Sequence, residues 1–369
     1  MRKSLIIFAT TAALLFTSIP TRALEPLDEY LQSSTLADRA ALIVDSADGA
    51  VFLEKSPDSL RTPASLTKLI STTAALHFLG TEKRYTTSIW STKTPGIYVL
   101  KGGMDPWLTS STILAERNRQ RYLPGLVFKA NNKNLRSITI YYNNMYKQDL
   151  TDLTVYLRRY KKTTVKSIPI SISDGDLNAQ SQIASMTSEP ITAMVSHAIL
   201  WSVNDLADRL GKEAVKMQGN PLTPEGITST FESALKDLGV ETSGMHLEDG
   251  SGLSQSNRVS SRTLVSLLIK LRNDSTYQSI VNGLPIAGLS GTLLKRFTSA
   301  PDAIGHVHAK TGLLKNVASL AGYIDVGDKS YAFALIADQI NPGGKAQLAA
   351  RKTLDEMLGT FVRTILTSR

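Results

Sequence analysis

The chain has 369 residues, 42% hydrophobic and 20% charged, with 41 Lys and Arg against 32 Asp and Glu for a formal charge of +9. The length accommodates a large core and about two domains, and the composition is that of a globular protein, neither disordered nor fibrous. The absence of cysteine excludes disulfides, thiol catalysis and cysteine metal sites.

The first residues read as an export signal. Arg2 and Lys3 precede an apolar stretch from Leu5 to Phe16, followed by Pro20 and the small-residue ending Thr21-Arg22-Ala23. This is the pattern of a secretory signal peptide spanning residues 1–23, cleaved after Ala23. The alternative is an uncleaved anchor, but about a dozen apolar residues fall short of the ~20 that cross a bilayer. The expected location is periplasmic, or secreted if the organism lacks an outer membrane.

Next come two short apolar runs, 40–44 and 50–53, flanking Asp45-Ser46-Ala47-Asp48-Gly49; they predict a hairpin. Pro63 precedes a helical pattern over 65–79, with Gly80 as its stop. From residue 86 the character changes. Strands are expected at 86–90, 97–101, 135–142 and 166–173, with a basic amphipathic helix at 150–160 and a polar run at 174–182. Between Ala115 and Lys166 twelve Lys and Arg stand against Glu116, Asp149 and Asp152. That segment alone carries a net +9, so the basic charge belongs to a module of its own. Such a face suits an anionic wall polymer or a membrane surface; the plainer reading is a solvated basic helix with its loops. No nucleic-acid partner is expected.

The remainder predicts helices at 191–200, 205–217, 223–238 and 261–271, then strands at 305–310, 317–325 and 331–338, and a closing amphipathic helix at 345–366. The domain division expected is a discontinuous core, 24–85 with 180–369, interrupted by a basic accessory domain at 86–179.

Three short motifs fall at telling places in this layout: Ser65-Leu66-Thr67-Lys68 opening a helix, Ser202-Val203-Asn204 at a helix break, and Lys310-Thr311-Gly312 ending a strand. In that order they match the S-x-x-K, S-x-N and K-T-G set of active-site serine enzymes that attack D-alanyl peptides and β-lactams. A second S-x-x-K, Ser233 to Lys236, lies inside a helix without partner motifs and reads as helix surface. A serine hydroxyl needs a base beside it. Lys68, one helical turn from Ser65, serves if burial or a second cation such as Lys310 depresses its pKa. Ser202 can relay a proton to the departing amine. The Asn204 amide can both donate to a substrate carbonyl and accept from a lysine. Lys310 with Thr311 suits a terminal carboxylate, and Gly312 leaves room for a peptide along the strand. Backbone N–H groups of Ser65 and Leu313 would form the oxyanion hole. His197, His306 and His308 lack ligand-like clustering with carboxylates, so no metal site is expected.

Longer runs then become recognisable. Leu284 to Leu293, Lys295-Arg296-Phe297 and His308-Ala309-Lys310-Thr311-Gly312, continuing through Ala321-Gly322-Tyr323, resemble the class C low-molecular-mass penicillin-binding proteins, the D-Ala-D-Ala carboxypeptidase/endopeptidase family. So do Pro63-Ala64-Ser65-Leu66-Thr67-Lys68 and the loop Asp249-Gly250-Ser251-Gly252-Leu253-Ser254. The family's G-G-G-D-P-T-L segment appears as Gly102-Gly103-Met104-Asp105-Pro106-Trp107-Leu108. The resemblance implies an α/β (α+β) fold: a penicillin-binding, β-lactamase-like transpeptidase core of antiparallel sheet and helices, here interrupted by a smaller α/β insert. It also implies cutting of peptidoglycan stem peptides through an acyl-enzyme on Ser65, without metal or cofactor, and acylation by β-lactam antibiotics. A β-lactamase or esterase of the same fold, and a non-catalytic wall-binding protein, are the alternatives. No E-x-x-L-N segment of the kind that serves deacylation in class A β-lactamases is present.

Overall fold

The computed structural model describes residues 25–368, so the expected signal peptide at 1–23 lies outside the described residues. The chain enters through a short helix, α1 (Glu25–Leu31), and a hairpin of β1 (Asp38–Asp45) and β2 (Val51–Lys55), then the long helix α2 (Thr67–Leu79). An excursion follows through β3 (Thr86–Ser91), β4 (Ile97–Lys101), β5 (Leu108–Thr109), α3 (Thr112–Asn118), β6 (Arg121–Tyr122), α4 (Leu123–Ala130) and β7 (Ser137–Asn143). It continues through α5 (Lys147–Lys161), β8 (Thr164–Pro169), α6 (Ile172–Asn178) and β9 (Gln182–Thr187). Helices α7 (Ile191–Trp201), α8 (Asn204–Met217), α9 (Pro224–Asp237), α10 (Ser261–Asn273) and α11 (Gln278–Val281) lead back to the first sheet. Three consecutive strands complete it, β10 (Val307–Leu314), β11 (Val317–Val326) and β12 (Lys329–Asp338), before the closing helix α12 (Gly344–Thr367).

The central sheet is antiparallel in the order β10-β11-β12-β1-β2. Its inner strands read as almost unbroken apolar runs because both faces are covered. Ile43, Leu320, Phe333 and Leu335 face Leu354, Leu358, Phe361 and Ile365 of α12. Leu42, Val44, Ala334 and Ile336 face the opposite way, onto the helical layer with α2, α8 and α10. Burial of each such Leu, Ile or Phe contributes about 1.5–3 kcal/mol. Strand β10 is at one edge of this sheet.

Helix α2 runs through the middle of the helical layer, with ten consecutive residues, Thr67 to Leu76, buried. A helix buried all round must satisfy every polar group it carries. The Thr67, Thr72 and Thr73 hydroxyls donate to the carbonyls of Ala64, Lys68 and Leu69, and Ser71 donates to the Gly250 carbonyl. Lys68 is satisfied within the site described below.

The excursion builds a second sheet, β8-β7-β4-β3-β9, with β4, β7 and β8 parallel and β3 antiparallel to both its neighbours. Its own apolar cluster includes Ile89, Leu100, Leu126, Ile140, Leu153 and Leu157. Parallel neighbours demand crossovers, which α3 with α4, and then α5, supply. Three of the differences from the sequence expectations concern the limits of this sheet and of β10. Residues 170–173 are not strand, because Ser171 accepts a hydrogen bond from the Asp174 N–H and starts α6. Strand β9 extends this sheet beyond the expected limit of 179; it is an edge strand with mostly exposed side chains, so its alternation is faint. And β10 continues through Lys310 to Leu314, so the K-T-G motif lies within the strand.

Candidate active site

The turn before α2 delivers Ser65. Residues Ala64–Leu66 form a single 3-10 turn that runs straight into the helix. Ala64 is held at φ +51°, a conformation that costs an L-residue energy and persists only where its surroundings impose it. Three residues on, Lys68 lies on the same face of the helix and is wholly buried. Its amine donates to Ser65 Oγ at 2.8 Å, to Asn204 Oδ1 at 2.7 Å and to the Ser251 carbonyl at 2.5 Å.

Ser202 and Asn204 flank the break between α7 and α8. Ser202 ends α7 in the left-handed conformation, φ 57°, its N–H bonded to the Ala198 carbonyl. Asn204 begins α8. Oδ1 of Asn204 is occupied by Lys68, which leaves the Nδ2 group as the donor of that amide. Across from them, Lys310 on β10 is also wholly buried. Its amine donates to Ser202 Oγ at 2.8 Å and to the Thr311 carbonyl at 2.7 Å. Thr311 Oγ1 lies 2.9 Å from Thr292 Oγ1. Leu313, beyond Gly312 on the edge strand, is 44% exposed.

The loop from Asp249 to Ser254 closes the site from behind. Its place beside the motifs is a product of the fold, since Ser251 contributes a main-chain oxygen and carries no side-chain signal for that contact. Gly252 sits at φ +83°, and a Cβ there would fall 1.9 Å from the Ala64 carbonyl oxygen and 3.0 Å from Ser65 N. Only glycine allows this approach.

Two buried amines in one site are electrostatically costly. Burial pushes the Lys68 amine down to about 8, while the charges of Asp249 and Asp208 act in the opposite direction. Lys310 is pushed well below the usual lysine range, first by burial and then by the charge of Lys68. Of the two causes the sequence offered, burial and a second cation such as Lys310, burial is the one that lowers Lys68, and Lys310 is the group that feels the neighbouring ammonium. Asp249 is held below the ordinary aspartate range: burial would raise it, but backbone N–H groups of Ser254 and Gly252 outweigh that.

The remaining candidates fall elsewhere. His197 stacks near Trp107, ring centroids 5.0 Å apart, and burial lowers its pKa. His306 Nδ1 pairs with the Asp325 carbonyl and His308 Nε2 with the Gly305 carbonyl. Among the described residues no cluster of three or more His, Cys, Asp or Glu is arranged to hold a metal ion, and no helix is long and apolar enough to cross a membrane. Lys236 of the second S-x-x-K pairs with Glu232 on the surface of α9.

Comparison with known proteins places this geometry in context. The model of the D-Ala-D-Ala carboxypeptidase 3 (S13) family matches residues 23–121 and 157–361. The carboxypeptidase DacB of Mycolicibacterium smegmatis is 26% identical over 358 residues, which cover 84% of this chain and 78% of that relative. A D-alanyl-D-alanine carboxypeptidase of Actinomadura sp. is 32% identical over 184 residues, 48% of this chain and 34% of its own length. In fold, the chain is similar to penicillin binding protein 4 (dacB) of Haemophilus influenzae. The two superpose with a TM-score of 0.70 at 16% identity, covering 93% of this chain and 98% of the other.

Proposed function

As this chain belongs to the D-Ala-D-Ala carboxypeptidase 3 (S13) family, whose activity is that of a serine-type peptidase, we propose that Ser65 is the nucleophile that it turns on peptidoglycan stem peptides. The observation that carries this reading is the Lys68 amine, buried, depressed to about 8 and 2.8 Å from Ser65 Oγ. Ser65 attacks the carbonyl of the penultimate D-alanine as Lys68 accepts its proton. The oxyanion is held by the N–H groups of Ser65 and Leu313. Ser202, in contact with Lys310, passes a proton to the departing amine, D-alanine leaves, and water hydrolyses the acyl-enzyme. Lys310 and Thr311 hold the terminal carboxylate, Asn204 Nδ2 donates to a substrate carbonyl, and the peptide lies along the β10 edge over Gly312. Cleavage of a cross-linked D-alanyl bond, the endopeptidase reaction, uses the same groups. A β-lactam acylates Ser65 in the same way. No metal or cofactor takes part in any of these steps.

With β9 counted in its sheet, the core of this enzyme comprises residues 24–85 and 188–369, and the insert at 86–187 serves as an accessory domain. Lys129, Lys133, Arg136, Arg158, Arg159 and Lys161 are exposed on it, which suits contact with an anionic wall polymer or a membrane surface. The signal-like residues 1–23 direct the chain to the periplasm.

Intact-protein mass spectrometry after brief exposure to benzylpenicillin, with Ser65→Ala alongside, tests the reading. A persistent adduct on Ser65 supports it and leads to an assay of D-alanine release. Rapid loss of the adduct with consumption of the drug favours a β-lactamase or esterase. Folded protein that forms no adduct sinks the catalytic reading in favour of a non-catalytic wall-binding role.

A further inference from the structure

We propose that the loop Asp249–Ser254 aims the Lys68 lone pair at Ser65, and that Asp249 is the positioning residue that gives the loop its shape. This rests on the proposed roles of Ser65 and Lys68 as nucleophile and base. It adds groups that neither the three motifs nor the chemistry above requires.

The argument begins with hydrogen counting. A lysine ammonium has three N–H bonds, and Lys68 has three acceptors around it: Ser65 Oγ, Asn204 Oδ1 and the Ser251 carbonyl. A neutral amine has two N–H bonds and one lone pair. Of the three partners, the amide oxygen and the peptide carbonyl can only accept, whereas the serine hydroxyl also carries a proton. The two N–H bonds of the neutral amine are therefore held by Asn204 and Ser251, and the lone pair faces the Ser65 hydroxyl. On attack, the Oγ–H bond breaks and its proton joins that lone pair. The freed oxygen pair forms the bond to the substrate carbon, and the carbonyl π pair moves onto its oxygen. If the Ser251 carbonyl is removed, the amine can rotate an N–H toward Ser65, a geometry that cannot take the proton.

That carbonyl is placed by Asp249. Its Oδ1 accepts from Ser251 N at 2.6 Å, Ser251 Oγ at 2.9 Å and Gly252 N at 2.5 Å, and its Oδ2 from Ser254 N at 2.7 Å. With Leu253 N at 3.4 Å from Oδ1 as well, one carboxylate curls four successive residues, 251–254, around itself. The loop is then pinned at Gly250, whose N–H donates to Asp208 on α8 at 3.0 Å and whose carbonyl accepts from Ser71 on α2 at 2.6 Å. A Cβ at Gly250 would lie 2.9 Å from the Ala207 carbonyl oxygen, so the loop has no slack toward α8. Both Asp249 and Asp208 also raise the Lys68 amine against the effect of burial.

The test measures benzylpenicillin acylation of the full chain from about pH 6 to about pH 10, for wild type, Asp249→Asn and Asp208→Ala. Asp249→Asn keeps the size of the side chain but replaces an acceptor oxygen with a donor. The expected result is an adduct still on Ser65, a high-pH rate lower by about 100-fold, in the range of a lost general base, and an acid limb moved to lower pH than in wild type. A merely structural defect reduces the fraction of protein that can be acylated and leaves the limb in place. An unchanged rate, or a lowered rate with an unmoved limb, overturns the proposal. If Asp249→Asn does not fold, Asp208→Ala decides: it loosens the same loop through Gly250, and wild-type acylation in that variant overturns the proposal. Wild-type protein without an adduct on Ser65 overturns the underlying assignment of the nucleophile, and that outcome is visible before any variant is compared.

Discussion

Gly312 and Ser319 stand opposite each other on β10 and β11, and the Ser319 hydroxyl occupies the space that a side chain on Gly312 would need. That hydroxyl donates to the Pro63 carbonyl at 2.8 Å. Strand β11, the hydrogen-bonded neighbour of the strand bearing Lys310, is thereby fastened to the turn that presents Ser65. A side chain at position 312 would displace that hydroxyl, so glycine there leaves the fastening intact.

Substitution there has a definite outcome. A Cβ on Gly312 would lie 2.1 Å from Ser319 Oγ and 2.8 Å from the Pro63 carbonyl oxygen. Gly312→Ala is expected to destabilise the fold by about 1–3 kcal/mol, the usual size of an overpacking penalty, and to slow acylation. Thermal unfolding together with benzylpenicillin labelling checks this; wild-type values in both would remove the fastening from the account.

The pH dependence of acylation follows from Lys68. With the neutral amine as the proposed base and its pKa depressed to about 8, the rate is expected to rise as pH rises through about 8. Stability moves in the same direction. Between the folded value of about 8 and the ordinary lysine value of 10.5, the unfolded chain binds more protons than the folded one. Stability therefore increases with pH across that window. Urea unfolding of wild type and Lys68→Met is expected to show their difference shifting in favour of wild type from pH 8 to 10.5; a constant difference would contradict a depressed Lys68.

Lys310 responds to ligand charge. Burial and the Lys68 ammonium hold its pKa well below 10.5, and a carboxylate placed beside it favours the charged form. A peptide with a free C-terminal carboxylate is expected to bind with net proton uptake, and its C-terminal amide without it. Titration calorimetry in buffers of different ionisation heat reads this directly.

Ser202 separates backbone strain from hydroxyl chemistry. It sits at φ 57° with Lys310 2.8 Å from its hydroxyl. Ser202→Ala and Ser202→Gly both remove the hydroxyl, yet only glycine adopts that conformation without the left-handed cost of about 1–2 kcal/mol. Equal losses of activity with a more stable glycine variant are expected. Activity that tracks stability would assign Ser202 to shape alone.

A buried ion pair joins α5, beside the second sheet, to α8, which begins at Asn204. Arg209 on α8 contacts Asp149 on α5 with two hydrogen bonds, 3.2 and 3.0 Å, and the Asp149 carboxyl is pushed up to about 6 by burial, with Arg209 opposing. Removing one partner leaves an uncompensated buried charge, so Arg209→Met is expected to cost about 3–5 kcal/mol, whereas Arg209→Met with Asp149→Leu recovers most of it. Chemical denaturation of the three proteins checks the cycle; additive losses would show that the two residues act independently.

Much of the architecture was legible because it is written in local pattern. The alternation and length of the apolar runs located β1, β2, β11 and β12, and i, i+3 spacing put Lys68 on the Ser65 face of its helix before any coordinates were needed. Among the elements that escaped are α3, α4 and β9, together with the short α1, β5, β6, α6 and α11. The first two are short and flank a crossover whose burial depends on neighbouring strands, and β9 is an exposed edge whose pairing with β3 leaves almost no hydrophobic trace.

What the sequence by itself determined was which side chains are candidates for the reaction and their order along the chain, since S-x-x-K, S-x-N and K-T-G are each contained within a few residues. Tertiary structure alone decided how those groups meet and in what protonation state. The acceptor that orients Lys68 from behind is a peptide carbonyl, and every residue has one, so no pattern marks it. The depression of Lys68 to about 8 sums the desolvation by surrounding residues against the charges of Asp208 and Asp249. Those two acidic residues lie 140 and 181 positions away in sequence. Such sums exist only once the chain has folded around the amine.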